Sequence, residues 1–293
     1  MKTPTLLLTS LLALVASTLA QTTAAPIAPA IPAEMPERKP DIHYVPTPED
    51  VVEEMLRLTN VTKDDLVYDL GSGDGRIVIT AAKKRGARGI GIDIDPQRIT
   101  EAKENAKKAG VEDRVKFMKA DIFKSDFKDA TVVTLYLLTS INEKLRPKLF
   151  AELKPGTRIA SHAFSMGDWK ADEHKILGSR SVFYWVLPAN LSGRWKIAGK
   201  AEGGVTSLDL QQKFQMLTGA AEVQGEQRAI TDGRVTGESF TVTLAPAKEG
   251  GEPIKFSGRL SGEKLQSSGE GKQPATWSAE REEGTKQQLQ ARL

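Results

Sequence analysis

One stretch near residue 70 constrains the fold of this 293-residue chain more than any other. It reads Val67-Tyr-Asp-Leu-Gly-Ser-Gly-Asp-Gly-Arg76, and Gly91-Ile-Asp-Ile-Asp-Pro96 follows it. The apolar residues around Asp69 are typical of a short buried parallel strand, and the glycines after them indicate a tight turn before a helix. A second strand then ends in a carboxylate. This order predicts an α/β fold with a ligand pocket at the carboxyl edge of a parallel sheet.

The glycine turn indicates that a ligand lies against the main chain. Gly71, Gly73 and Gly75 occupy alternate positions, and glycine lets a ligand come close to the backbone. The amide groups that begin the following helix face the same pocket. Dinucleotide-binding proteins have the spacing GxGxxG, and here the third glycine comes one residue too early. The spacing therefore argues against a nicotinamide enzyme, while a glycine turn without any ligand stays the plainer alternative.

The first half of the chain alternates predicted helices and strands. Thr47 is expected to cap a first helix, and Asp95 is expected to cap another, with Pro96 in its first turn and Gly110 after its end. The other predicted elements are strands at Val115–Met118, Thr131–Leu138 and Thr157–His162, a helix from Asn142 to Leu153, and a hairpin of strands at Glu173–Leu177 and Val182–Leu187.

Together these motifs resemble the class I S-adenosylmethionine-dependent methyltransferases, over about residues 41–188. The resemblance implies their Rossmann-like seven-stranded sheet, in which the last strand is antiparallel. Tyr44-Val-Pro-Thr-Pro48, the glycine motif and Tyr136-Leu137 look like the branch that contains mitochondrial lysine methyltransferases. Those enzymes modify the c-subunit of ATP synthase and the adenine nucleotide translocase. The N-terminal leader and the C-terminal extension of this chain depart from that branch.

The resemblance implies S-adenosylmethionine as the cofactor and assigns residues to it. The glycine loop of the family packs against the methionine and ribose end of the cofactor, next to Asp69. An acidic residue after the second strand accepts hydrogen bonds from the ribose hydroxyls, which makes Asp93 the ribose ligand and Asp95 the alternative. Asp121 would contact the adenine amino group or simply shape a turn. Tyr44 would close over the cofactor or only attach the N-terminal segment to the core.

The acceptor side is expected beyond the fourth and fifth strands. Methyl transfer is an in-line displacement, so the protein mainly aligns the acceptor and excludes water, and no catalytic acid or base is required. Tyr136, His162 and Asp168 are the candidates, because they follow these strands. His162 would accept a proton or end its strand, and Asp168 would attract a cationic lysine or end a turn. Phe164 and Trp169 would wall the pocket or belong to the core.

The resemblance to the lysine methyltransferase branch implies methyl transfer to a protein lysine amine. The near balance of 41 basic and 38 acidic residues gives no reason to expect a nucleic-acid partner. The chain has no cysteine, which excludes thiolate metal sites, and its 3 histidines are too scattered to predict a metal site. Two alternatives stay open. One is a small-molecule methyltransferase, and the other is an inactive binding module on the same fold.

The first 20 residues predict a secretory signal peptide and therefore an exported protein, periplasmic or secreted. Lys2 precedes an apolar run from Leu6 to Val15, and Thr18-Leu-Ala20 suits a cleavage site. An uncleaved anchor, with membrane contact, is the alternative, although the run is short for a bilayer span. Residues 21–40, rich in alanine and proline, predict an extended linker. S-adenosylmethionine is a cytosolic compound, which conflicts with export. Three alternatives stay open: the cofactor reaches the envelope, residues 1–20 are not an export signal, or the domain no longer methylates.

Residues 189–293 are expected to form a small antiparallel β domain, either a sheet or a barrel. Glycine separates short alternating runs there, such as Leu208–Leu217, Ser239–Leu244 and Ile254–Gly258. Turns are predicted at Thr218-Gly219, Asp232-Gly233, Thr236-Gly237 and Ser261-Gly262. The charged tail after Glu280 is expected to be frayed or helical.

Overall fold

The computed structural model describes residues 43–267 and 276–289. The predicted signal peptide (1–20) and linker (21–40) lie outside the described residues, so both stay predictions. Among the described residues, no helix has the length and apolar character to cross a membrane.

The first part of the described chain is a seven-stranded sheet with helices, as the sequence predicted. Its elements are α1 (Glu49–Leu58), β1 (Leu66–Leu70), α2 (Arg76–Arg85), β2 (Arg88–Asp93), α3 (Pro96–Ala109), β3 (Val115–Lys119), β4 (Val132–Leu135), α4 (Thr139–Glu152), β5 (Arg158–His162), β6 (Glu173–Leu177) and β7 (Arg180–Val186). The strand order is β3-β2-β1-β4-β5-β7-β6. Strands β1 to β5 are parallel, and β7 runs antiparallel to β5 and β6. The α/β, Rossmann-like fold class is confirmed.

The two central strands of the sheet are β1 and β4, and the chain leaves β4 at the carboxyl edge to begin α4. Strands β1 and β4 are buried along their whole length, as expected of parallel strands covered on both faces. Strand β4 is shorter than predicted, because the chain leaves the sheet after Leu135 and the carbonyl of Leu138 accepts hydrogen bonds from the amides of Ile141 and Asn142. Helix α4 therefore begins at Thr139, directly beside the carboxyl edge of the sheet.

Two helix caps were predicted, and one of the predictions is wrong. Asp95 caps α3 as expected, since its carboxylate accepts a hydrogen bond of 2.8 Å from the amide of Gln97. Thr47 does not cap α1: the helix begins after Pro48, whose carbonyl accepts from the amides of Val51 and Val52. The hydroxyl of Thr47 lies elsewhere, 3.4 Å from Nδ1 of His162.

The second part is a closed eight-stranded antiparallel barrel, which confirms the predicted antiparallel β fold. Its strands are β8 (Gly193–Lys200), β9 (Val205–Lys213), β10 (Met216–Val223), β11 (Glu226–Thr236), β12 (Ser239–Leu244), β13 (Ile254–Ser261), β14 (Lys264–Gln266) and β15 (Thr276–Arg281). A short 3₁₀ turn, Glu202–Gly204, connects β8 and β9.

Several predicted details of the barrel are wrong. The run Leu208–Leu217 is two strands, which turn at Phe214 and Gln215. Thr218-Gly219 lies inside β10 and Asp232-Gly233 inside β11, whereas the turns at Gly237 and Gly262 are where they were expected. The described part of the tail after Arg281 contains no helix.

The barrel has a packed apolar interior, and a cation–π contact between Arg281 and Trp195 lies beside it. Phe240, Phe256 and Trp277 pack together inside it, with ring centroids 4.6 to 6.4 Å apart. The Arg281 guanidinium lies 4.4 Å from the centre of the buried Trp195 ring, and its Nη2 donates a hydrogen bond of 2.7 Å to the carbonyl of Asn190. Sheet and barrel belong to the same compact unit, and the predicted division of the chain at residues 188 and 189 stays a prediction.

Candidate functional site

A cleft opens at the carboxyl ends of β1, β2 and β4, where the glycine motif predicted a pocket. The space between its walls has a volume of about 980 Å³, which includes the part that is open to solvent. The N-terminal segment, the glycine loop, the turns after β2 and β3 and the chain after β4 all contribute walls. The lining residues are His43, Tyr44, Val45, Pro46, Thr47, Asp69, Gly71, Ser72, Asp74, Arg76, Ile77, Asp93, Ile94, Asp95, Arg98, Ala120, Asp121, Ile122, Phe123, Tyr136, Leu137 and Ile141.

The glycine loop is shaped for close contact with its neighbours. Gly73 has a φ of +52°, and a Cβ atom there would lie 2.3 Å from the ring of Tyr44. Tyr44 rests on the loop at the edge of the cleft with 39% of its surface exposed, and the Arg98 guanidinium lies 4.8 Å from the ring centre. Of the three predicted glycines, Gly71 lines the cleft, Gly73 lies under the Tyr44 ring, and Gly75 packs against Phe117 of β3 and Ala102 of α3.

Asp93 ties the glycine loop to the end of β2. One carboxylate oxygen accepts a hydrogen bond of 2.8 Å from the Gly73 amide, and the other accepts one of 2.9 Å from the Asp95 amide. Burial raises the pKa of Asp93, and these amides offset part of that effect. Since an ionised carboxylate has about four acceptor positions, Asp93 retains acceptor capacity toward the cleft that it lines.

Asp69 is the deepest carboxylate of the cleft. It lies opposite Thr134 in the pairing of β1 with β4, and the Thr134 hydroxyl donates to it over 2.7 Å. Burial raises the pKa of Asp69 to about 7, and the nearby charges of Asp93 and Asp74 act in the same direction. The site therefore holds a carboxyl group that changes charge near neutral pH.

Asp121 shapes a turn and also lines the cleft. One of its carboxylate oxygens accepts from the Phe123 amide over 2.9 Å, and its carbonyl accepts from Lys124 and Ser125, so it shapes the turn after β3. The same residue lines the cleft beside Ala120 and Phe123. Its position suits an adenine ligand, and that role stays a prediction.

Sequence reasoning missed three polar residues of the cleft, although all three lie in the glycine motif. The Ser72 hydroxyl is buried and makes no hydrogen bond within the described part of the chain. Asp74 pairs with Arg76 over 2.6 Å, and Arg76 also donates to the carbonyl of Thr47 over 2.9 Å. This pair holds the N-terminal segment against the loop. Burial and the Asp74 carboxylate raise the pKa of Tyr44, which rests on the same loop.

The predicted acceptor side contains an aromatic stack after β4 and β5. Tyr136 lines the cleft, and its ring centroid lies 3.9 Å from that of His162 and 6.0 Å from that of Phe164. His162 is buried behind Tyr136 and does not line the cleft. Burial and, to a lesser extent, the charge of Arg180 lower the pKa of His162, so its ring is neutral at pH 7.

Asp168 and Trp169 lie farther from the cleft. Asp168 accepts a hydrogen bond of 2.7 Å from the buried Arg146 and pairs with Lys213 over 3.1 Å. Trp169 is fully buried, next to Phe150 and Trp185. The structure thus places Trp169 in the core, whereas a substrate role for Asp168 stays a prediction.

Comparisons with known proteins agree on the chemistry of this half of the chain. The family model described as the ANTKMT methyltransferase domain matches residues 69–173. The protein-lysine N-methyltransferase of Saccharolobus islandicus (strain REY15A) is 51% identical over 135 residues, which are 46% of this chain and 84% of that protein. The adenine nucleotide translocase lysine N-methyltransferase of Mus musculus is 35% identical over 153 residues, which are 52% of this chain and 65% of that protein.

One solved structure aligns with a similar portion. It is an RNA methyltransferase from Salinibacter ruber in complex with S-adenosyl-L-homocysteine, with 55% sequence identity and a TM-score of 0.48. The alignment covers 48% of this chain and 93% of that chain.

Proposed function

Because this chain belongs to the same class I S-adenosylmethionine-dependent methyltransferase family as the Saccharolobus islandicus protein-lysine N-methyltransferase, we propose that it methylates the side-chain amine of a protein lysine. The observation that carries the proposal is the position of Asp93. Its carboxylate fixes the glycine loop through Gly73 and retains acceptor capacity toward the cleft.

The residues of the cleft fit the cofactor. S-adenosylmethionine, when bound, supplies a methyl group on a positively charged sulfur as the electrophile. Asp93 would hold the ribose hydroxyls, because a carboxylate can accept two of them at once. Ser72 has a buried hydroxyl that still needs a partner, and Gly71, which lines the cleft without a side chain, lets a ligand approach the main chain. Asp121 and Tyr44 would contact the adenine and cover the bound molecule.

The acceptor side suits an amine that must be neutral to react. Tyr136, Leu137 and Ile141 form a largely apolar wall, and such surroundings disfavour the charged ammonium form of lysine. The neutral His162 ring stacks on Tyr136 and adds no positive charge next to the amine. We assign His162 a positioning role through Tyr136. No side chain needs to act as a catalytic base.

The compartment is part of the proposal. The apolar run Leu6–Val15 and the small residues before Gln21 support an exported protein whose signal peptide is cleaved. The acceptor would then be a protein of the envelope or a secreted one, and the near balance of 41 basic and 38 acidic residues gives no reason to expect nucleic acid. N-terminal sequencing of the protein from its own cells tests this: we expect Gln21 as the first residue, and a protein that begins at Met1 would contradict it.

A labelling experiment tests the transfer itself. The full-length chain is incubated with S-adenosylmethionine carrying a tritiated methyl group and with poly-L-lysine as the probe acceptor, and the acid hydrolysate is analysed for methyl-lysines. We expect label in mono-, di- or trimethyl-lysine, and an Asp93→Ala variant that forms none. In a parallel reaction a cell extract replaces poly-L-lysine, and label only in its low-molecular-weight fraction, with none in lysine, would favour the small-molecule alternative.

A further inference from the structure

The turn between β9 and β10 inserts an aromatic side chain between α4 and the chain segment that follows β5. Phe214 is 3% exposed and has a φ of +52°, a left-handed conformation that is uncommon for a residue other than glycine and persists only when its surroundings fix it. Its ring centroid lies 5.9 Å from that of Phe150 and 6.0 Å from that of Trp169, and the Arg146 guanidinium lies 5.0 Å from the ring centre. The tip of this hairpin is therefore part of the core around α4.

Polar contacts on both sides of Phe214 fix the same region. The neighbouring Lys213 pairs with Asp168 over 3.1 Å, and Gln215 donates a hydrogen bond of 2.7 Å to the carbonyl of Lys170. Arg234 of the barrel forms an ion pair with Asp172. The barrel thus binds the chain segment that connects β5 to β6 at three alternate positions, Asp168, Lys170 and Asp172.

The other end of that segment supports the acceptor side of the cleft. We call residues 163–170 the β5 loop. Phe164 stacks on Tyr136 with the ring centroids 6.0 Å apart, and the amide group of Asn142 donates to the carbonyls of Phe164 and Ser165 over 3.3 and 3.2 Å. The loop leaves β5 through Ala163, which has a φ of +62°. A short, tightly bonded loop therefore connects Tyr136 at one end with the barrel at the other.

We propose that Phe214 is a positioning residue for methyl transfer: it holds the β5 loop in place and so fixes the acceptor wall behind Tyr136. This inference rests on the proposed function. The barrel then belongs to the acceptor site as its support, and the cofactor side of the cleft, built on Asp93 and the glycine loop, is independent of it. Loss of the Phe214 ring should loosen the loop and impair acceptor use without affecting cofactor binding.

The test compares three variants of the full-length chain. Phe214→Ala removes the ring, and Phe214→Leu keeps an apolar side chain. Phe256→Leu is the matched control, because Phe256 is equally buried inside the barrel and contacts Trp277 rather than the β5 loop. The measurements are hydrogen exchange of the amides of residues 163–170, affinity for S-adenosylhomocysteine, and the KM and kcat for poly-L-lysine.

For Phe214→Ala we expect faster exchange in the β5 loop and kcat/KM for the acceptor reduced about tenfold, with unchanged affinity for S-adenosylhomocysteine. Phe214→Leu should recover most of the loss, and Phe256→Leu should match the wild type in the loop. Unchanged exchange in Phe214→Ala, or an equal increase in Phe256→Leu, would overturn the proposal. A wild-type chain that methylates no lysine would refute the proposed function instead, and the exchange data would still decide whether Phe214 holds the loop.

Discussion

The hydroxyl of Thr134 donates a 2.7 Å hydrogen bond to the carboxylate of Asp69, across the pairing of the two central strands. Both residues are almost completely buried. The bond stabilises the charged form of Asp69, but burial has the larger opposite effect and raises the pKa of Asp69 to about 7. The centre of the cleft is therefore sensitive to pH.

This pKa predicts how stability depends on pH. Because the folded-state pKa of Asp69 lies above the ordinary value of 3.8, the folded protein holds a proton that the unfolded chain releases. The resulting stabilisation is complete below about pH 4 and is lost as the pH rises through about 7. The Asp69→Asn side chain cannot ionise, so this variant does not lose that stabilisation. The difference in the free energy of unfolding, variant minus wild type, should therefore increase by about 2–3 kcal/mol from pH 5 to pH 8.

Urea titrations followed by tryptophan fluorescence at pH 5, 6, 7 and 8 measure this difference. A constant offset between the two proteins would reflect only the altered bond to Thr134. Parallel stability curves over this range would therefore refute the raised pKa of Asp69.

A second prediction concerns the contact between Gly73 and Tyr44. Gly73→Ala places a methyl group against the Tyr44 ring and also strains the backbone, which should lower the free energy of unfolding by about 2–4 kcal/mol. Gly110→Ala is the matched control, since Gly110 has a φ of +69° and no other atom within 4 Å of the added Cβ, so it reports strain alone. Tyr44→Ala should relieve the additional cost in Gly73→Ala but not the strain.

Thermal denaturation of the two single variants and of the double variant gives these values. Equal destabilisation by Gly73→Ala and Gly110→Ala would show that Tyr44 does not rest on the loop.

A third prediction tests how the barrel is closed. Arg281→Ala removes the guanidinium from the Trp195 ring and leaves the carbonyl of Asn190 without its donor, so we expect a loss of about 1–3 kcal/mol in the free energy of unfolding. Glu280→Ala, on the same strand but at the exposed surface, should remain near the wild type. Chemical denaturation of both variants decides the matter, and equal stability of the two would contradict the account.

The sequence predicted those elements whose signals are local. Helix α3 has its cap at Asp95 and its end at Gly110, both readable along the chain. The turn at Phe214 carries no such signal, because a positive φ in a two-residue hairpin turn favours glycine, whereas here the residue is a phenylalanine that packs against Phe150 and Trp169, far away in the sequence. Gly219 gave a local signal for a turn, and that prediction was wrong. The residue lies inside β10, where glycine is needed because a Cβ would approach the Asp209 carbonyl oxygen to 2.0 Å.

In the candidate site, too, the residues with a local sequence signal were predicted, and those that depend on distant contacts were not. Asp93 and Asp121 were assigned through the family resemblance, on their positions at the ends of predicted strands, and parallel strands bring such residues to one edge. The role of Arg76 was missed, because it depends on the carbonyl of Thr47, 29 residues earlier in the chain. His162 was predicted as a neighbour of the acceptor, and only the structure shows that it stacks behind Tyr136 instead of lining the cleft.

Calorimetric titration of the folded full-length chain with S-adenosylhomocysteine tests the central claim, that Asp93 holds a cofactor in this cleft. We predict a dissociation constant on the order of micromolar, weakened about 100-fold in Asp93→Ala through the loss of two charge-assisted hydrogen bonds. Asp95→Ser, which keeps a side chain able to cap α3 but removes the alternative carboxylate, should bind like the wild type. A folded wild-type chain that binds no S-adenosylhomocysteine, or an Asp93→Ala variant that binds it equally well, would contradict the account.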